Sequence, residues 1–281
     1  MKENLRQSIG EALRTASADL RPISLTPRLD AEVIMTSALH RDRAYLLAHP
    51  EQTLSQDEQN KFAWGIEQRA REVPIPYITK HCEFYGLRFN VNRSVLIPRP
   101  ETERLIEAAL AWAEGRPNLH IIDVGTGSGA IAVTLAKHLP DAHVTAIDIE
   151  SKILRLAQTN AERHGVADRI AFENDIIYVG EPGDLIAANL PYIPTAQLNR
   201  MPGYEPRAAL DGGEDGLRII RAVLRDIPHL MKEPSLLLLE IGAFDQAEAV
   251  STMVRDTLPG AEVRIIHDYA GLPRIVRVEK I

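Results

Sequence analysis

The chain reads as an α/β protein with a doubly wound, mostly parallel seven-stranded sheet that ends in an antiparallel hairpin, preceded by a small helical bundle and a β-hairpin connector. Three observations predict this. From about residue 101 onward, apolar runs of strand length alternate with amphipathic helical stretches. A glycine-rich turn, Gly125-Thr126-Gly127-Ser128-Gly129, separates the first of those runs from a helix. Residues 1 to 75, by contrast, carry helical periodicity only.

The bulk composition sets limits. With 281 residues, 45% hydrophobic and 25% charged, the chain has enough apolar material for one large domain and one small one. A net charge of -7 argues against binding nucleic acid by counterion release, which needs a basic surplus. The single cysteine, Cys82, excludes an internal disulfide, and Met1 to Leu20 lacks the apolar core of a signal peptide. No apolar run approaches the roughly 20 residues that span a bilayer. A cytoplasmic protein without membrane contact and without a metal site is expected.

In the helical part, Leu5, Ile9 and Leu13 recur at four-residue spacing. Pro27 after Thr26 opens a second helix with Val33, Ile34 and Ala38 on its apolar face, and Asp42 begins a short third one. Ser55 with Glu58 forms a capping box ahead of a stripe of Phe62, Ile66 and Ala70, and Pro74 and Pro76 are expected to end that helix. This bundle, residues 1–75, is too small to hold chemistry and reads as a substrate-docking or cap module. Residues 76–98 change to period two, with Leu87, Phe89 and Val91 alternating with Arg88 and Asn90 after Gly86, and read as the hairpin connector. Two prolines around Arg99 then lead into a helix expected over Glu101 to Ala113, a rigid opening suited to a wall against a ligand.

Residues 99–281 form the sheet domain. Ile121 and Ile122 lead through Asp123 into the glycine turn, where backbone can approach a nucleotide closely. The spacing is Gly-x-Gly-x-Gly and no Gly-Lys-Ser/Thr follows, so neither a dinucleotide fingerprint nor a triphosphate cradle is present. The second strand, His143 to Ile149, carries Asp148, which is placed to bind both hydroxyls of a ribose or, alternatively, to cap a helix. The third, Arg169 to Glu173, leads to Asp175 and Ile176, candidates for the amino group and ring face of an adenine, with an acidic turn as the alternative for Asp175.

The fourth strand, Asp184 to Ala188, delivers Asn189-Leu190-Pro191-Tyr192 to the carboxyl edge, where ligands of open parallel sheets bind. These four residues suit a planar NH2 group. The Asn189 side-chain oxygen can accept one N–H, the Leu190 carbonyl the other, Pro191 stiffens the turn, and Tyr192 covers the flat face. An amide or an aromatic amine held this way has its nitrogen aimed at an electrophile. The remaining elements are a helix from Leu217 to Leu230, a strand from Leu236 to Ile241, a helix from Phe244, and strands Val263 to His267 and Arg274 to Val278 as the terminal hairpin.

Together these features resemble a class I S-adenosylmethionine-dependent methyltransferase with its Rossmann-like sheet. More narrowly, the chain resembles the PrmC/HemK family of peptide chain release factor glutamine methyltransferases. The resemblance runs through Leu96-Ile-Pro-Arg-Pro-Glu-Thr-Glu103, Asp123 to Ala132, Tyr204-Glu-Pro-Arg-Ala-Ala-Leu-Asp-Gly-Gly-Glu-Asp-Gly-Leu217, Glu240-Ile-Gly242 with Gln246, and Asp268-Tyr-Ala-Gly271 with Arg274. It implies S-adenosylmethionine as cofactor, bound by Gly125, Thr126, Gly127, Ser128, Gly129, Asp148, Asp175, Ile176 and Asn189. It implies as partners release factors 1 and 2, whose Gly-Gly-Gln glutamine is methylated at its amide nitrogen (N5), with Asn189, Leu190, Pro191 and Tyr192 as the catalytic group. Glu101, Glu205 and Glu240 are further candidates for shaping the pocket. One departure stands out: Leu190 occupies the place of the family's usual first proline. Asn-Leu-Pro-Tyr is the form typical of ribosomal RNA adenine dimethyltransferases, so methylation of adenine or another amine in nucleic acid is the alternative, and a cofactor-binding subunit without activity a third reading.

Overall fold

The computed structural model describes residues 6–175, 180–201, 203–242 and 246–280. The chain separates into two compact units, Met1–His81 and Cys82–Ile281.

The first unit is helical: α1 (Ile9–Leu20), α2 (Pro27–Leu39), α3 (Arg43–Ala48), α4 (Gln56–Ala70) and α5 (Ile75–Thr79). Ser8 with Glu11 and Ser55 with Glu58 cap α1 and α4 reciprocally, and the Asp42 side chain caps α3. The apolar stripe of α4 differs from expectation. Phe62 and Gly65 are buried while Ala70 is exposed, because α2 approaches so closely that a Cβ on Gly65 would meet Ile34 Cγ2 at 2.4 Å. Pro74 and Pro76 start α5 instead of only ending α4. They occupy its first turn, where a missing N–H costs nothing, and the Pro74 carbonyl accepts from the Tyr77 and Ile78 amides. Tyr77 is therefore buried in a helix, and the hairpin expected over residues 76–98 is confined to β1 (His81–Phe84) and β2 (Leu87–Asn90).

The second unit continues with α6 (Glu103–Ala113), β3 (His120–Val124), α7 (Ala130–His138), β4 (His143–Ile147), α8 (Ser151–His164), β5 (Ile170–Glu173), β6 (Gly183–Ala188), α9 (Thr195–Leu198), α10 (Arg218–Leu230), β7 (Met231–Glu240), α11 (Gln246–Thr257), β8 (Glu262–His267) and β9 (Pro273–Lys280). The sheet order is β5-β4-β3-β6-β7-β9-β8, with β3 to β7 parallel and β9 antiparallel to both its neighbours. The apolar runs of β3, β6 and β7 are continuous because both faces are covered. Ile121, Leu185, Leu236 and Leu238 pack on one side, and Ile122, Ile186, Leu237 and Leu239 on the other.

Two elements depart from the sequence reading. The helix expected from Glu101 begins as a 3-10 turn, Pro100–Thr102, and becomes α-helical at Glu103. Strand β7 starts five residues before Leu236: Met231 pairs with Gly183, and Leu236 resumes the ladder opposite Leu185. The residues between them bulge out, which gives Pro234 a place where no ladder N–H is needed. The expected start of the last helix at Phe244 lies outside the described residues.

Candidate active site

Strand order locates the site. The chain steps from β3 outward to β4 and β5, then returns to the other side of β3 for β6 and β7, so the winding reverses between β3 and β6. Crevices at such a reversal, beyond the carboxyl ends of the strands, are where open sheets bind ligands. Val124 pairs with Ala188 in register, so both strands end level and release Gly125 and Asn189 side by side.

On the β3 side, Gly125, Gly127 and Gly129 all hold left-handed φ angles of 77°, 55° and 80°. A Cβ on Gly129 would lie 3.1 Å from Ala157 Cβ, so this glycine lets α8 close against the turn. A Cβ on Gly127 would meet only the Gly125 carbonyl, at 3.9 Å, so the space above it is open for close approach by a ligand. Asp148, immediately after β4, accepts the Gly127 amide at 3.0 Å and thereby fixes the turn. Burial raises its carboxyl above the ordinary range, although three backbone amides, Gly127 first among them, pull the other way.

Asp123, fully buried at the end of β3, accepts the Thr126 hydroxyl at 2.6 Å and the Ala132 amide at 3.1 Å through Oδ2. Its Oδ1 has no partner among the described residues. Burial pushes this carboxyl up to about 7, with the nearby Asp148 charge adding to the effect. Ser128 is held from below: the buried Asn160 donates to its carbonyl at 2.8 Å and exchanges bonds with the Asn90 backbone, tying β2 to the glycine turn. Asp175 is exposed just beyond β5, where the neighbouring Asn174 side chain donates to the Asp148 carbonyl at 3.0 Å. Ile176 lies outside the described residues.

On the β6 side, the Asn189 Nδ2 donates to Thr102 Oγ1 at 3.1 Å. Leu190 turns its side chain into the apolar cluster with Ile122 and Leu217, leaving Cδ2 3.3 Å from where a Cβ on Gly125 would sit. Half-buried Pro191 follows, and then Tyr192, whose hydroxyl donates to Glu240 Oε1 at 3.3 Å. Burial and the adjacent Glu240 raise the Tyr192 phenol further above its ordinary value. Glu240 ends β7 fully buried and is pushed up to about 7 by that burial, against the pull of Thr102, Arg274 and Tyr192 and with Glu101 adding to the rise.

Several supports around this site come from segments distant in sequence, most of them within the stretches that carry the family resemblance. Glu205 accepts the Ile97 amide at 3.2 Å and pairs with Arg99, anchoring the proline-bracketed wall. Gln246 accepts the Gly242 amide and donates to the Tyr192 carbonyl, both at 2.9 Å. Gly216 is required there: a Cβ would fall 2.3 Å from the Tyr192 oxygen and 2.6 Å from Gln246 Nε2. The Ile193 amide and carbonyl both bond the Leu210–Gly212 backbone, and Thr195 donates to Asp211 Oδ1 at 2.6 Å. The Glu-Pro-Arg to Asp-Gly-Gly block thus braces the loop that follows the tetrapeptide. Among the described residues, no group of three or more His, Cys, Asp or Glu could hold a metal, and no helix is long and apolar enough to cross a membrane.

Residues 11–79 match a family model described as the PrmC N-terminal domain, and residues 116–247 match one described as a methyltransferase domain. Two similar relatives are both named release factor glutamine methyltransferase. That of Koribacter versatilis is 39% identical over 97% of this chain and 97% of its own length, and that of Moorella thermoacetica is 41% identical over 96% of each. A methyltransferase structure from Pyrococcus furiosus overlays with a TM-score of 0.52 at 16% identity, covering 80% of this chain and 99% of that one, a likeness of fold alone. With its level strand ends, its glycine turn and relatives of this identity over nearly their full length, the chain belongs to the PrmC/HemK family of release factor glutamine methyltransferases.

Proposed function

We propose that this enzyme transfers a methyl group from S-adenosylmethionine to the side-chain amide nitrogen of the glutamine in the Gly-Gly-Gln motif of release factors 1 and 2. The observation that carries this reading is the juxtaposition at the winding reversal, where the glycine turn and Asn189-Leu190-Pro191-Tyr192 leave adjacent strands at the same level.

The residues present suit the cofactor. The open space over Gly127 admits close approach, and the unpartnered, buried Asp123 Oδ1 offers an acceptor to an ammonium group. Asp148 would hold the ribose hydroxyls, with Asp175 and Ile176 toward the adenine. When bound, S-adenosylmethionine supplies a methyl group made electrophilic by the sulfonium charge. The protein orients the acceptor: Asn189 Oδ1 takes one N–H of the glutamine amide, the Leu190 carbonyl takes the other, and Tyr192 packs on the amide face. An amide nitrogen is a weak nucleophile, so the rate comes from position more than from activation. No side chain is assigned as general base, since the proton can leave to water during or after transfer.

The helical unit, residues 1–75, is read as the docking module for the release factor. A groove of about 470 Å³ in the first compact unit, lined by Ile34 and Trp64 of the bundle and by Ile78 and Lys80 just beyond it, offers a surface for that role. A release factor substrate places the enzyme in the cytoplasm.

Incubation of the full-length enzyme with labelled S-adenosylmethionine and, separately, purified release factor 1, release factor 2 and ribosomal RNA tests the assignment. Label entering the release factors supports it. Label entering RNA alone would move the function to the adenine chemistry that Leu190 suggests.

A further inference from the structure

Glycine takes positive and negative φ with similar ease, so the turn Gly125-Thr126-Gly127-Ser128-Gly129 does not select its own peptide orientations. Hydrogen bonds select them instead. The Gly125 and Thr126 amides both donate to the Ile147 carbonyl at 2.9 Å, the Gly127 amide donates to Asp148 at 3.0 Å, and the Gly129 amide turns back to the Thr126 carbonyl at 2.9 Å. The Ser128 amide has no partner among the described residues and is the turn's remaining donor.

The other pole of the Ser128–Gly129 peptide is held by Asn160, a fully buried side chain on α8 that no element of the mechanism above uses. Its Nδ2 donates to the Ser128 carbonyl at 2.8 Å and to the Asn90 carbonyl at 3.0 Å, and its Oδ1 accepts the Asn90 amide at 2.8 Å. A backbone N–H only donates, so the Asn90 amide selects the oxygen end of the side chain and leaves both NH2 hydrogens for the two carbonyls. Strand β2 therefore sets the orientation of Asn160. Arg163 and His164, at the end of α8, meet the Asn90 side chain and the Arg88 carbonyl at 3.3 and 2.8 Å, which keeps helix and strand together. The peptide is thus pinned at both ends, its carbonyl by Asn160 and its N–H by the Thr126 carbonyl.

On the reading of the glycine turn as the seat of S-adenosylmethionine, we propose that Asn160 is a positioning residue for the cofactor: oriented by strand β2, it fixes the Ser128–Gly129 peptide and holds the turn in one conformation before a ligand arrives. The connector hairpin is thereby part of the support of the cofactor site. Without Asn160 the buried Ser128 carbonyl loses its partner, and a peptide set between Gly127 and Gly129 is free to rotate among conformers. Only a fraction of these suits the ligand, and apparent affinity falls by that fraction. The groups that orient the acceptor amide, on the β6 side, are untouched, so turnover at saturating cofactor is retained.

The test compares Asn160→Ala, Asn160→Asp and Asp148→Ala with wild type in the full-length enzyme. S-adenosylmethionine Kd is measured by calorimetry, kcat at saturating cofactor with release factor, and amide hydrogen exchange on the ligand-free protein. Asn160→Ala is expected to raise Kd about 5- to 100-fold, the range for one lost hydrogen bond to a buried carbonyl, with kcat within about threefold of wild type. Exchange is expected to quicken in residues 125–130 and 87–91 while β7 keeps its wild-type rates. Asn160→Asp has the same shape and still accepts the Asn90 amide, but it has at most one hydrogen for two carbonyls. It is expected to raise Kd in the same direction, and it decides alone if Asn160→Ala does not fold. A Kd within twofold of wild type, or a rise accompanied by faster exchange throughout the sheet, overturns the proposal. If Asp148→Ala raises Kd in that case, the turn still binds the cofactor and only the role of Asn160 falls. If Asp148→Ala also keeps wild-type affinity, the reading of the turn as the cofactor's seat fails with it.

Discussion

Asp148→Ala is the perturbation whose size the structure defines best. The carboxylate accepts the Gly127 amide at 3.0 Å, and its other oxygen makes a long contact of 3.4 Å with the Glu150 amide, leaving lone pairs for a ligand. Truncation removes the charge-assisted bond that shapes the glycine turn and the proposed bonds to two ribose hydroxyls. Hydrogen bonds to a charged group contribute about 1.5 to 3 kcal/mol each, but water replaces part of that in the variant. Part is also offset because the Asp148 charge weighs on buried Asp123, and that repulsion disappears. The net expectation is a loss of about 1 to 3 kcal/mol in cofactor binding, a rise in Kd of roughly 5- to 150-fold. Calorimetric titration with S-adenosylmethionine measures it, with thermal unfolding of the ligand-free protein as control. A Kd within twofold of wild type, in a variant that unfolds at the wild-type temperature, would refute the assignment of Asp148 to the cofactor.

Four further outcomes follow from the same geometry. Asn189→Ala is expected to abolish turnover while leaving cofactor Kd within several-fold, and a loss confined to cofactor binding would contradict its role. Leu190→Pro keeps the carbonyl and is expected to hold or raise kcat, with about 1 to 2 kcal/mol of stability lost from the apolar cluster that Leu190 fills; a collapse of activity would mean the leucine is matched to another substrate. Gly216→Ala, whose Cβ would collide with the Tyr192 carbonyl, is expected to lower both unfolding temperature and kcat while sparing cofactor affinity, and wild-type kinetics would show that Gln246 and Gly216 do not brace the tetrapeptide. Asp123→Asn tests the buried charge. Burial raises this carboxyl from 3.8 to about 7, so the stability it contributes is full below about pH 4 and is lost as pH rises through about 7. The variant is therefore expected to gain on wild type across that window by an amount on the order of a few kcal/mol, read as diverging unfolding temperatures, and a constant difference would contradict burial as the cause.

What the sequence disclosed follows the range of the interactions. Capping at Ser55 and Asp42 and the alternation of strands and helices are local patterns, and they read correctly. The placing of the tetrapeptide at the carboxyl edge was legible because a parallel sheet brings carboxyl ends together whatever the connecting helices contain. Pro74 and Pro76 misled because the same residue that stops one helix is favoured in the first turn of the next. The early start of β7 was hidden by Pro234, which sits in a bulge that only the partner strand reveals. Glu240 was legible only as a candidate for shaping the pocket, because its link to Tyr192 spans 48 residues and that of Asn189 to Thr102 spans 87, so no spacing rule could pair them. Asn160 was equally silent, an ordinary polar residue on a helix that proves to be buried and to join β2 to the glycine turn.

Methyl transfer to one glutamine nitrogen is read out by mass spectrometry of the Gly-Gly-Gln peptide. Purified release factor is incubated with the enzyme and S-adenosylmethionine, digested and fragmented, with Asn189→Ala enzyme run in parallel. The wild-type enzyme is expected to add a single methyl to the side chain of that glutamine, and the variant none. An unmodified glutamine, in the presence of enzyme shown to bind the cofactor, would contradict it.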